Sequence, residues 1–104
     1  MYNIPHMAEF DMQARIFNAL CSRFSGHSFD EQDVDKQIAE IGLMPHNLEH
    51  IFYDVCNTLG WGPGERPLRV NVVEKMAKES RTLGQFIAAV RAHEMTLVKK
   101  LISS

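Results

Sequence analysis

Cysteine is scarce in this chain, with Cys21 and Cys56 alone among 104 residues and far apart. Two such residues make no disulfide framework. Each falls within an apolar helical pattern, so both are read as buried, reduced thiols of a cytoplasmic protein. Long apolar runs are missing too. None comes near the roughly 18 residues of a membrane span, and no membrane contact is expected. The opening MYNIPHMAEFD lacks a basic segment followed by an apolar one, which predicts no secretory leader. Neither sign of charge is in excess. Eleven Lys and Arg stand against 13 Asp and Glu, for a net charge of −2, with both signs interspersed. That distribution has no electrostatic footprint for nucleic acid or an anionic bilayer. Internal repeats and low-complexity tracts are also absent. The length predicts one domain, residues 9–104, behind a loose arm at 1–8.

What is present is helical periodicity, clearest from Leu43 to Trp61. Leu48, Ile51, Phe52, Val55 and Leu59 recur at the spacing that lines up one apolar stripe. Pro45 suits a first turn, Asn47 is a good capping residue, and Gly60 is placed to end the helix in the left-handed conformation. A stripe of this kind is stable only when other helices cover it.

The rest of the chain supplies those partners. From Glu9 to Phe24, residues Phe10, Ala14, Phe17, Cys21 and Phe24 form a stripe, widened by Ile16 and Leu20, with Ser25-Gly26 as the stop. Residues 26–44 read as a loop with a helical piece near 31–41, capped by Asp30 and ended by Gly42; a loop that merely tucks Phe29, Val34 and Ile38 into the core would leave the same pattern. Its acidic residues (Asp30, Glu31, Asp33, Asp35, Glu40) lack the spacing of a calcium loop and read as a solvated surface. Asn71 with Glu74 predicts a capped short helix over 72–79, and Thr82 with Gln85 a second capping box. Leu83, Phe86, Ile87 and Val90 then continue at helical spacing through Leu97, Val98 and Leu101, predicting one last helix to about Ile102. The fold class is all-α: three main helices, one short helix and a long loop after the first.

That plan resembles the acyl carrier protein family over roughly residues 9–92. The matching stretches are Phe10–Phe24, the loop to Met44, the helix from His46, Val72–Glu79, and Thr82-Leu83-Gly84-Gln85-Phe86-Ile87-Ala88-Ala89-Val90, the last matching best. In the family a serine in an L-G-x-D-S-L motif, at the head of the second helix, carries phosphopantetheine. Aligned on Leu43 and Leu48, that serine falls on Asn47, the aspartate on His46 and the glycine on Met44. A carboxamide has no hydroxyl with which to attack coenzyme A, so no cofactor is expected here. The resemblance implies a non-catalytic interaction module that presents its second helix, through Glu49, His50, Asp54 and Asn57, to another protein such as an acyl-transfer or biosynthetic enzyme. Leu97, Val98, Leu101 and Ile102 lie beyond what a small bundle needs to cover, and are expected either to pack back over the core or to meet a second copy or another protein. A working carrier whose attachment serine lies elsewhere is the alternative within the family.

Two other patterns compete. His46-Asn47-Leu48-Glu49-His50 spells the H-x-x-E-H of a helical metalloprotease. Such an enzyme needs a third ligand and a cleft, and only His93 and Glu94 are on offer, with no residues left to build the cleft. His46 and His50, with Asp54, remain weak metal candidates, and no catalytic residue is assigned. Lys36 to Gly42 followed by the helix from His46 also reads like helix-turn-helix. Its second helix would present Glu49 and Asp54 to phosphates, the wrong sign for binding, so DNA binding ranks below protein binding.

Overall fold

The computed structural model of the protein describes residues 11–26 and 28–103; the arm expected at 1–8 lies outside them. Helix α1 spans Met12–Arg23 and is capped by Asp11, whose carboxylate accepts from the N–H groups of Gln13 and Ala14. Helix α2 is Pro45–Thr58, α3 Val70–Glu79 and α4 Leu83–Arg91, followed by the single turns α5, Glu94–Leu97, and α6, Lys99–Ser103. The result is a small all-α bundle, with no strand among the described residues. Helix α2 packs against α1 and α3, and α4 closes the circuit by packing against both of those. The radius of gyration, 13.4 Å, is that of a tightly folded domain of about 100 residues.

The stripe of α2 is the centre of the core: Leu48, Ile51, Phe52, Val55 and Leu59 are each 0% exposed. Gly60 adopts φ +94° and ends the helix as expected. Helix α1 faces the core differently from its expected stripe. Met12, Ile16, Ala19 and Leu20 are buried, Phe17 and Phe24 half-buried, and Ala14 and Cys21 exposed. Apolar residues cover more than half the turn of this helix, so periodicity alone does not choose between adjacent stripes; contact with α2 and α4 does. Arg15 reaches across to the far end of α2, donating from Nη1 to the carbonyl oxygen and Oγ1 of Thr58.

The connection between α1 and α2 is an irregular segment whose helical pieces are two 3-10 turns, Glu31–Asp33 and Ala39–Ile41, with no continuous helix over 31–41. Asp30 caps the first as expected, and Gly42, at φ +79°, ends the second. Asp33, assigned to a solvated surface, is instead 8% exposed. Its carboxylate accepts from the Asp30 N–H at 3.0 Å and pairs with Lys36 at 3.0 Å. The segment is pinned to the start of α4: Ile38 donates to the Arg81 carbonyl at 2.8 Å, and Gly84 to that of Val34 at 2.8 Å. A Cβ on Gly84 would lie 2.9 Å from Val34 Cγ1 and 3.0 Å from the Val34 carbonyl oxygen. Glycine at 84 is therefore what permits the contact.

Two helix boundaries differ from expectation. Helix α3 starts at Val70 without a side-chain cap, so Asn71 lies inside it; burial of Val73, Met76 and Ala77 sets its position. The long last helix is broken after Arg91 and again at Val98. The breaks turn the chain back so that Leu97 and Val98 are buried and Leu101 packs against the core. Trp61 Nε1 donates to the Leu97 carbonyl at 2.7 Å, while Lys100 sits 5.0 Å over the Trp61 ring and pairs with Glu65. Of the two expectations for these residues, Leu97 and Val98 follow the one that packs them back over the core, with Leu101 half-buried against it (the side chain of Ile102 lies outside those described). Lys99 and Lys100 begin a turn instead of ending a helix.

Gly84→Ala should lower stability by about 1–3 kcal/mol, because the obstacle includes backbone; chemical denaturation measures it, and an unchanged midpoint would refute the close-approach reading. Asp33 gives a second test. The Asp30 N–H, then Lys36, hold its carboxyl below the ordinary carboxylate range. A depressed folded-state pKa contributes stability that is present above the unfolded value and lost as pH falls through the folded one. Asp33→Asn should therefore be less stable than wild type near neutrality, and the gap should close as pH drops below about 4.

Candidate functional site

The head of α2 is where Asn47 lies, between two exposed residues and the core. Met44 is the N-cap residue and supplies no side-chain cap, Pro45 is the first helical residue, and Asn47 falls in the third helical position. Asn47 Oδ1 accepts the Met44 N–H at 2.8 Å, satisfying a donor just outside the helix. Asn47 therefore does help to close the helix start, from inside the first turn and not from the cap position itself. Met44 is 57% exposed.

Of the four residues assigned to partner binding, Glu49, His50 and Asn57 line one groove, while Asp54 lies along another with Arg15, Asn18 and Thr58. Asp54 is held by Arg23 of α1 through two hydrogen bonds, 2.8 Å from Nε and 2.9 Å from Nη2. This fork-to-fork geometry is among the stronger ion-pair arrangements, and the Asp54 carboxylate raises the pKa of Arg23. Arg23 Nη1 also lies 3.5 Å from His50 Nδ1. A basic residue, Arg23, therefore stands beside this part of α2. Arg23 and Asp54 are 31 residues apart, and no local pattern marks them as a pair.

Metal binding gains no support from this geometry. His46 and His50 stack edge to face with centroids 6.3 Å apart, and both Asp54 oxygens are engaged by Arg23. No group of three or more potential ligands exists among the described residues. Lys36 to Ile41, the first helix of a helix-turn-helix reading, contains only the 3-10 turn Ala39–Ile41. No helix among the described residues is long and apolar enough to cross a membrane.

The groove that holds Glu49, His50 and Asn57 runs between α2 and the loop after it, with a volume of about 340 Å³. Tyr53, Cys56, Glu65 and Arg66 complete its lining, with the backbone of residues 62–64. The guanidinium of Arg66 lies 5.3 Å from the centroid of the Tyr53 ring, a cation–π distance. Tyr53 and Arg66 carry no motif that could have flagged them. No family model, curated protein or solved structure matches this chain.

The two cysteines differ. Cys56 is 2% exposed, and burial pushes its thiol up to about 12, leaving it inert as a nucleophile. Cys21, expected to be buried as well, is exposed. Under native conditions iodoacetamide should label Cys21 and spare Cys56 until denaturant is added, with peptide mass spectrometry as the readout. Equal labelling in the native state would contradict the burial of Cys56.

Proposed function

We propose that this chain is an acyl-carrier-protein-like domain without a phosphopantetheine serine, acting as a non-catalytic protein-interaction module. The observation that carries the reading is Asn47. It occupies the position aligned with the attachment serine and uses its side-chain oxygen to bind the Met44 N–H. A helix N-terminus would favour the phosphodiester of the arm, but the nucleophilic hydroxyl is replaced by a carboxamide already engaged in the helix start. The order of elements supports the same lineage: α1, a long irregular connection, α2, then α3 and a Thr82-capped α4. The partner is another protein, of the acyl-transfer or biosynthetic class, and it meets the head and outer side of α2 at Met44, Glu49, His50 and Asn57. Asp54 contributes less directly, since Arg23 neutralises it.

Incubation with coenzyme A and a broad-specificity phosphopantetheinyl transferase should leave the intact mass unchanged. A gain of one phosphopantetheine arm would mean that another serine is the attachment site and that the chain is a working carrier. Binding is tested by calorimetry against acyl-transfer and biosynthetic enzymes encoded beside this chain. Glu49→Lys should weaken it by about tenfold, while Glu79→Lys, on α3, should leave it unchanged. No binding to any of them, or equal loss with both variants, would remove the module reading.

A further inference from the structure

The groove beside α2 has a chemistry that a protein-docking face does not require. Tyr53 lines it, and the Tyr53 hydroxyl is buried with no hydrogen-bond partner among the described residues. Leaving such a group unpaired is unfavourable by about 1–3 kcal/mol, and native structures rarely do so without a reason. Two charges on the same groove are likewise uncommitted. Arg66 stacks on the Tyr53 ring with no carboxylate bonded to its guanidinium, and Glu49 has no cation bonded to it, among the described residues. The other acid of the groove is different, because Glu65 is taken up by Lys100 and by the Gly62 N–H. A volume of about 340 Å³ lies at the small end of ligand pockets, about 300–1,000 Å³.

We infer that this groove binds a compact zwitterion of the α-amino-acid type, its carboxylate on Arg66, its ammonium on Glu49, and a polar atom within reach of the Tyr53 hydroxyl. A planar guanidinium held over an aromatic face is pre-oriented for a carboxylate. A ligand carrying one charge of each sign satisfies both groove residues at once, whereas a simple anion meets repulsion from Glu49 and a simple cation from Arg66. Asn57 adds an amide able to donate and accept. The site shares Glu49 and Asn57 with the face proposed to meet a partner, but it needs neither the carrier lineage nor that partner.

The test is titration of the isotope-labelled full chain with a panel of free L-amino acids, followed by amide chemical shifts. At least one should give saturable shifts centred on residues 49–57 and 62–66. Its N-acetyl and methyl-ester derivatives, each lacking one charge, should bind about tenfold more weakly. Arg66→Ala and Glu49→Gln should each produce a similar loss, and Arg66 is an exposed loop residue whose removal leaves the core untouched. Tyr53→Phe should weaken the ligand while leaving thermal stability equal or higher, because an unpartnered hydroxyl is removed. Absence of saturable shifts with every amino acid, undiminished binding of the blocked derivatives, or a Tyr53→Phe variant that loses stability would each overturn the inference.

Discussion

The structure depends on burial of one helix face. Six residues of α2 and its end, Leu48, Ile51, Phe52, Val55, Cys56 and Leu59, are at most 2% exposed, and fully burying a large aliphatic or aromatic side chain is worth about 1.5–3 kcal/mol. The other helices are arranged as covers for that face. Helices α1 and α3 lie directly against it, and the C-terminal turns bring Leu97 and Val98 into the same core. Because one face of α2 is committed inward, its opposite side is fixed as the presented surface, and Glu49, His50 and Asn57 acquire a shared groove. A helix this deeply anchored holds the side chains on its outer side in fixed relative positions.

A second constraint acts at the connection. Residues 34–38 hydrogen-bond to residues 81–84, joining the segment before α2 to the start of α4. This pairing converts what would be a long free loop into a strap, and it accounts for glycine at 84, where a side chain would strike Val34. A comparable clasp holds the other end, where Trp61, Glu65 and Lys100 tie the loop after α2 to the C-terminal turns. Both ends of α2 are therefore fixed by contacts distant in sequence. The groove between α2 and the 62–66 loop owes its shape to the second clasp.

Much of the fold was legible in advance because its signals are local. The apolar spacing of α2, the left-handed Gly42 and Gly60, the Asp30 cap and the Thr82–Gln85 box all act within a few residues and stand as read. The errors are of one kind. Asn71 resembled a cap, yet α3 begins at Val70 because Val73, Met76 and Ala77 are placed by packing. Leu97, Val98 and Leu101 continued the period of α4, yet the helix breaks because burial of both Leu97 and Val98 requires the chain to turn. In α1 two neighbouring stripes are equally apolar, and packing buries the one through Met12, Ile16, Ala19 and Leu20.

The sequence by itself determined the class of the molecule, the helix that organises it, and the absence of a hydroxyl at Asn47, since these follow from side-chain chemistry and spacing along one segment. Only the tertiary structure decided that Asp54 belongs to Arg23, that Glu49, Tyr53 and Arg66 share a groove, and that Cys21 faces outward while Cys56 does not. Those facts depend on distances between segments many residues apart, and a local period carries no information about which of two faces another helix will cover.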